Sequence, residues 1–97
     1  MRISLLIKTF KQKGLERLFF DDDRSGINHD HVNKLLRILD RLDASVNPQD
    51  MNLPGYRLHR LKGRKKDIWS VWVSGNWRLV FQFEGQDAIN VDYLDYH

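Results

Sequence analysis

The chain has 97 residues, of which 41% are hydrophobic and 30% charged, and its net charge is +3 at pH 7. These values predict a single globular domain over residues 1–97 and exclude a multidomain enzyme, a disordered chain and a fibrous protein. The sequence contains no cysteine, which excludes disulfides, thiol nucleophiles and cysteine-ligated metal sites.

The first residues predict a strand and not an export signal. The segment Leu5–Phe10 is short, apolar in part and β-branched, as an initial strand would be. The apolar stretch is interrupted by Ser4, stopped by Lys8, and lacks the small-residue cleavage site of a signal peptide. No apolar run approaches the roughly 20 residues of a membrane-spanning helix. We therefore expect a cytoplasmic protein with no membrane contact.

Two amphipathic helices are predicted next. The first covers Lys13–Phe20, and its apolar residues recur at helical spacing. Asn28 is a good N-cap for a second, longer helix that ends before Pro48. The stripes expected to face the core are Leu15, Leu18 and Phe19 in the first helix and Val32, Leu35, Leu36, Leu39 and Leu42 in the second.

After Pro54-Gly55 the hydrophobic period changes from helical to alternating, which predicts about four strands. They cover residues 58–61, 69–74, 77–83 and 88–93. Alternation directs Trp69 and Trp77 to the core and leaves Trp72 on the opposite face, available to stack on a nucleobase. In the last strand Ile89, Val91 and Tyr93 should share a face.

The predicted fold class is therefore α+β, with the element order β-α-α-β-β-β-β. The N-terminal strand and the two helices pack on one face of a C-terminal antiparallel β-meander. The other face stays open, as antiparallel sheets allow, and is the expected functional surface.

Positive charge is concentrated in one ten-residue segment, 57–66. It holds six basic residues and no acid, whereas the rest of the chain carries 10 basic and 13 acidic residues. Such a density suits a polyanion such as a phosphate backbone. The alternative is a solvated loop that only keeps the protein in solution. The six residues are Arg57, Arg60, Lys62, Arg64, Lys65 and Lys66.

Metal and serine chemistry find no support in the sequence. His29 and His31 are two residues apart near a helix start, so their side chains diverge by about 200° and cannot share a metal ion. We expect a structural or solvent-exposed role for both. The serines lack a nucleophile-elbow context, and no glycine-rich phosphate loop is present. No metal or cofactor is expected.

Acid-base chemistry on RNA is what the remaining residues allow. His59 and His97 could transfer protons, while Arg57, Lys62 or Arg78 could hold a phosphate. RNA needs no metal here because its 2′-hydroxyl is an internal nucleophile. A regular strand would direct His59 and Lys62 to opposite sides, and only a twist or bulge would join them. The alternative is that His59 is a rim residue and His97 a frayed end.

Four sequence stretches resemble the HigB toxins of the RelE superfamily. They are Pro54–Gly63, Trp69–Val71, Gly75–Arg78 and the ending Asp95-Tyr96-His97, and the resemblance spans essentially the whole chain. Members of this family are bacterial type II toxins. They are small cytoplasmic endoribonucleases that cleave mRNA in the ribosomal A site and are neutralised by a helix-turn-helix antitoxin.

The resemblance implies roles for individual residues. His59, Asp95, Tyr96 and His97 match the family's catalytic positions, and Lys62 and Arg78 match basic residues at the scissile phosphate. Arg64, Lys65 and Lys66 fall in a loop of variable sequence, where with Arg57 and Arg60 they would contact RNA by charge alone. The implied partners are a HigA-like antitoxin and the 30S A site with its mRNA, and DNA would be contacted only through the antitoxin.

Two alternatives remain from the sequence. A ParE-like toxin of the same superfamily would inhibit DNA gyrase by binding and would need no catalytic histidine. A noncatalytic RNA-binding module would need the basic segment alone. His59 and the terminal Asp95-Tyr96-His97 favour the nuclease over the ParE-like toxin, whereas in the binding module the terminal residues would be incidental.

Overall fold

The computed structural model describes residues 7–61 and 67–95 and contains two helices and a four-stranded sheet. The sheet is antiparallel with the strands in sequence order, which confirms the predicted α+β class. No helix in these two ranges is long and apolar enough to cross a membrane. The elements are α1 (Lys13–Asp21), α2 (Val32–Asp43), β1 (His59–Leu61), β2 (Ile68–Ser74), β3 (Trp77–Glu84) and β4 (Asp87–Asp95), with 3₁₀ turns at His29–His31 and Pro48–Met51.

In residues 7–10, the described part of the predicted N-terminal strand, two isolated parallel bridges connect the chain to β4. They join Ile7 to Ala88 and Phe10 to Val91. Between them the Thr9 hydroxyl accepts a hydrogen bond from the Asn90 amide at 2.8 Å, so a side chain takes the place of one backbone partner. Residues 5 and 6 of the prediction lie outside the described ranges.

Side-chain caps mark the start of α1 and the start of the 3₁₀ turn before α2. The Gln12 side chain accepts a hydrogen bond from the Leu15 amide at 2.7 Å where α1 begins. The Asn28 side chain accepts one from the Asp30 amide at 3.0 Å and caps the 3₁₀ turn that leads into α2. Because an N-cap satisfies an amide that has no partner within the helix, these contacts stabilise both starts. Asn28 is thus an N-cap, as predicted, but of the 3₁₀ turn, whereas α2 itself begins after His31 without a side-chain cap.

The helices cover the inner face of the sheet, and the core lies between them. The buried stripe of α2 differs from the prediction at two positions, because Ile38 is fully buried whereas Leu36 is half-buried. Ile38 follows Leu35 by three residues, so both lie on the same face of the helix. The core of the sheet and helices includes Leu15, Leu18, Leu35, Ile38, Leu39, Leu42, Val71, Val73, Leu79, Phe81, Ala88, Val91 and Tyr93.

A β-bulge in β4 overturns one predicted face. Asn90 has a φ of 53°, and at this point the register between β3 and β4 shifts by one residue. An extra residue reverses the alternation of side chains beyond it. Val91 and Tyr93 therefore belong to the core cluster, as predicted, whereas Ile89 does not. The prediction that Ile89 shares their face was wrong, because it assumed a regular strand.

Candidate active site

Two rows of side chains cross the outer face of the sheet, opposite the helices. Residues that are directly paired in an antiparallel sheet point to the same face, so the register defines each row. One row contains His59, Ser70, Val80 and Asp92, and the next contains Trp72, Arg78 and Leu94. The register therefore brings His59 and Arg78, which are 19 positions apart in sequence, to neighbouring rows of one face.

Ser70 lies between these two residues. It is fully buried, it pairs with His59, and its hydroxyl accepts a long hydrogen bond of 3.5 Å from Nη1 of the half-buried Arg78. His59 is exposed. The contact of Ser70 with Arg78 was not predicted from the sequence. A small polar residue between Trp69 and Val71 was the feature that could have indicated it. The arrangement places an accessible imidazole and a guanidinium on one face of the sheet, and a buried hydroxyl helps to orient the guanidinium.

The other described basic residues of segment 57–66 point in different directions. Arg57 precedes β1 with a φ of 52°, and its guanidinium carbon lies 4.5 Å from the centroid of the Trp72 ring. Arg60 is paired with Trp69 and so lies on the face opposite His59, where its Nη1 is 3.4 Å from Oδ1 of Asp67. The two described residues of the six-residue basic cluster, Arg57 and Arg60, therefore point in different directions.

The three tryptophans divide as predicted. Trp69 and Trp77 are half-buried and pack against the core. Trp72 is also half-buried but lies outside the core cluster, and its indole N–H donates to the Gly75 carbonyl at 2.9 Å.

Asp95 ends β4 opposite Trp77. Because Trp77 packs against the core, this register position belongs to the helix side of the sheet and not to the face of Arg78. Asp95 is exposed, and its charge acts on nearby Tyr93. Burial, and secondarily the carboxylate of Asp95, raises the pKa of Tyr93 to about 12.

A buried aromatic cluster joins the start of α2 to the end of β4. The rings of Trp77 and Tyr93 are stacked with centroids 4.5 Å apart, and His31 lies edge-on to Trp77 at 5.7 Å. Nδ1 of His31 shares a hydrogen bond with the Tyr93 hydroxyl. His31 is therefore structural, whereas His29 is exposed. Within residues 7–61 and 67–95, no three His, Asp or Glu side chains are grouped as metal ligands would be.

Six predicted site residues lie outside the described ranges. Their roles stay predictions from the resemblance. They are Lys62, Arg64, Lys65, Lys66, Tyr96 and His97.

A shallow groove of about 180 Å³ continues the outer face beside the row of His59. Val80 and Asp92 of that row line it, together with Leu61, Ile68, Gln82 and Leu94. A larger cavity of about 480 Å³ lies between the Pro48–Met51 turn and Trp69, and none of the predicted site residues lines it. The groove, and not the larger cavity, is therefore the concave surface next to the candidate site.

Comparison with known proteins identifies the family of this chain. A model of the HigB-like toxin family, described as RelE-like toxins of the type II toxin–antitoxin system HigB, matches residues 8–97. The chain is 39% identical over 92 residues to a Proteus vulgaris protein named Endoribonuclease HigB, covering 95% of this chain and 100% of the relative. It is 38% identical over 90 residues to Toxin HigB-1 of Vibrio cholerae, covering 91% and 94% of the two chains. The chain belongs to the HigB-like toxin family of type II toxin–antitoxin systems.

Proposed function

We propose that this toxin is an endoribonuclease that cleaves mRNA in the ribosomal A site and so inhibits translation. The family match and the relative named Endoribonuclease HigB support RNA cleavage. The observation that carries the proposal is the outer-face arrangement, in which accessible His59 lies opposite Ser70 and Ser70 accepts from Arg78.

The reaction we propose uses the 2′-hydroxyl of the RNA as the nucleophile. One general base removes its proton, the 2′-oxygen attacks the adjacent phosphorus, and the bond to the 5′-oxygen of the next nucleotide breaks. A general acid protonates that leaving oxygen, and a 2′,3′-cyclic phosphate remains. Each proton transfer by a positioned side chain contributes roughly 10²- to 10⁴-fold to the rate.

His59 and His97 would share the two proton transfers. Arg78 and Lys62 would stabilise the negative charge that accumulates on the phosphate oxygens in the transition state. The half-buried position of Arg78 strengthens this effect, because its guanidinium is already oriented and partly shielded from water. At the end of β4, Asp95 would orient the terminal residues, among them Tyr96 and His97.

The family implies an antitoxin partner. We propose that this partner is a helix-turn-helix protein of the HigA type, and that the complex contacts DNA only through it. The toxin would act in the cytoplasm, where its substrate is translated. The basic residues of segment 57–66 would contact ribosomal RNA through its phosphates. Inhibition of gyrase, the ParE-like alternative, is not favoured, because the toxins matched are of the HigB type.

Replacing His59 by Asn tests its assigned role. We expect His59→Asn to cleave mRNA on programmed ribosomes at least about 10²-fold more slowly than wild type, because the variant cannot transfer a proton. Its melting temperature should not change, since the side chain is exposed. His29→Asn is the matched control, because His29 is an exposed histidine on the 3₁₀ turn and should leave the rate unchanged. Wild-type cleavage by His59→Asn would refute the role of His59.

A further inference from the structure

Two cationic side chains from distant parts of the chain lie against the indole ring of Trp72. Nζ of Lys34 lies 4.3 Å from the ring centroid, and the guanidinium carbon of Arg57 lies 4.5 Å from it. Lys34 belongs to the first turn of α2, whereas Arg57 precedes β1. The hydrogen bond from the indole N–H to the Gly75 carbonyl fixes the ring. The result is an oriented platform that carries two positive charges.

These charges repel one another. Partial burial, followed by the charges of Arg37 and Arg57, lowers the pKa of Lys34 below its usual 10.5. The ion pairs found among the described residues include neither Lys34 nor Arg57. Cation–π contacts offset part of the repulsion. A bound anion would offset more of it, because a nearby negative charge favours the ammonium form of lysine.

The platform lies next to the candidate active site, where the register between β2 and β3 shifts beside Trp72 and Lys34 reaches its ring from the helix side of the sheet. Trp72 is the cross-strand partner of Arg78, and Asp95 lies at the same end of the sheet because it pairs with Trp77. A polyanionic strand whose scissile phosphate lies at Arg78 would therefore pass close to Trp72. The sequence predicted Arg57 as an RNA-binding residue. It did not predict Lys34, which belongs to a helix outside the basic segment.

We propose that Lys34 and Arg57, held by Trp72, form a second RNA phosphate subsite beside the one at Arg78. This inference rests on the proposed function, because it takes RNA as the ligand. Arginine suits such a site since its planar guanidinium can donate two parallel hydrogen bonds to one phosphate, and the lysine adds a compact charge. Arg37, which follows Lys34 by three residues on the same helix face, adds positive potential.

The test compares Lys34→Gln, Arg57→Gln and the double variant with Lys13→Gln, which removes one exposed lysine charge from α1. Affinity for mRNA-programmed ribosomes is measured as a function of salt concentration, together with KM, kcat and the melting temperature. Each single variant should bind several-fold more weakly and raise KM with little change in kcat. Each should also reduce the slope of log affinity against log salt by about 0.7, the value for one single-strand phosphate contact.

Lys34→Arg should restore binding, because it keeps a cation over the ring, and Lys13→Gln should behave as wild type. A lower melting temperature with unchanged affinity and salt slope would overturn the subsite, because the two cations would then only stabilise Trp72. Ribosomes without mRNA separate the two sources of phosphate. Loss of affinity there assigns the contact to ribosomal RNA, and loss only with mRNA assigns it to the message.

Failure of the proposed function is distinguishable from failure of the subsite. If wild-type protein does not cleave mRNA, the nuclease is refuted. Ribosome binding can still be measured in that case. A smaller salt slope for Lys34→Gln than for wild type would support the subsite, and equal slopes would overturn it.

Discussion

At the residue scale, the contact between His31 and Tyr93 connects the helices to the strand that ends at Asp95. Both side chains are buried, and burial of a polar group is unfavourable unless it is hydrogen-bonded. The stacking of Tyr93 on Trp77 adds a second contact across β3 and β4. Together these contacts fix the position of the end of β4, which precedes Tyr96 and His97.

Tyr93→Phe tests this contact through stability and its pH dependence. We expect the variant to lose about 1 kcal/mol at pH 8, because His31 loses its buried hydrogen-bond partner. Wild type keeps the Tyr93 proton until about pH 12, whereas the unfolded chain releases it near pH 10. Between these values the unfolded state binds fewer protons, so wild-type stability falls as pH rises.

Urea unfolding at pH 8 and pH 11 measures both effects. The loss between the two pH values should be smaller for Tyr93→Phe than for wild type, because the variant lacks the titrating phenol. Tyr56→Phe controls for removal of a phenol from a half-buried position elsewhere, whereas Tyr93 is buried. Parallel losses in wild type and Tyr93→Phe would contradict the buried, proton-retaining tyrosine.

The hydrogen bond of His31 was beyond sequence analysis for a physical reason. Its two residues are 62 positions apart, and no local periodicity connects a helix start to a distant strand. A structural role for His31 was expected, but its partner was not. Ser70 is similar, because alternation places it on the outer face but does not indicate that Arg78 will be its donor.

At the element scale, the bulge in β4 decides which side chains reach the core. A left-handed φ at Asn90 is well tolerated by Asn and Gly but costs roughly 1–2 kcal/mol for other residues. The Asn90 side chain also donates to Oε1 of Gln82 at 2.9 Å, which ties the bulge to β3. This geometry keeps Val91 and Tyr93 in the core although Ile89 faces away.

Substitution of Asn90 tests the bulge. Asn90→Gly should stay within about 0.5 kcal/mol of wild type, whereas Asn90→Val should be destabilised by about 1–2 kcal/mol relative to the glycine variant. Both variants lose the bond to Gln82, so their difference isolates the backbone conformation. Thermal unfolding of the two measures it. Equal stability would mean that the backbone at this position is not held in the left-handed region.

The sequence predicted whether each segment forms a helix or a strand more accurately than it predicted which side chains of that element face the core. The helical period of the apolar residues predicted α1 and α2, and the alternation of core-facing and outward residues predicted the meander. Both patterns are local in sequence. The face of Ile89 was not predictable, since one residue at positive φ reverses the alternation. The burial of Ile38 was missed although its spacing of three residues from Leu35 places both on the same helix face.

At the scale of the whole molecule, the outer face and the helix-borne Lys34 form a surface suited to RNA. The sequence indicated positive charge in segment 57–66, but the fold directs Arg60 away from His59 and adds Lys34 from a helix. Charge concentrated at one face raises the rate of encounter with a polyanion and makes binding salt-dependent. The family resemblance predicted from the sequence is confirmed.

The central claim is ribosome-dependent cleavage of mRNA, and mapping of mRNA 5′ ends tests it most directly. A bacterial cell-free translation reaction receives wild-type protein or His97→Ala, with a parallel sample that lacks ribosomes. We predict new 5′ ends inside codons that require ribosomes and disappear with the variant. Intact mRNA in every sample would contradict the account, and DNA gyrase would then be the next target to assay.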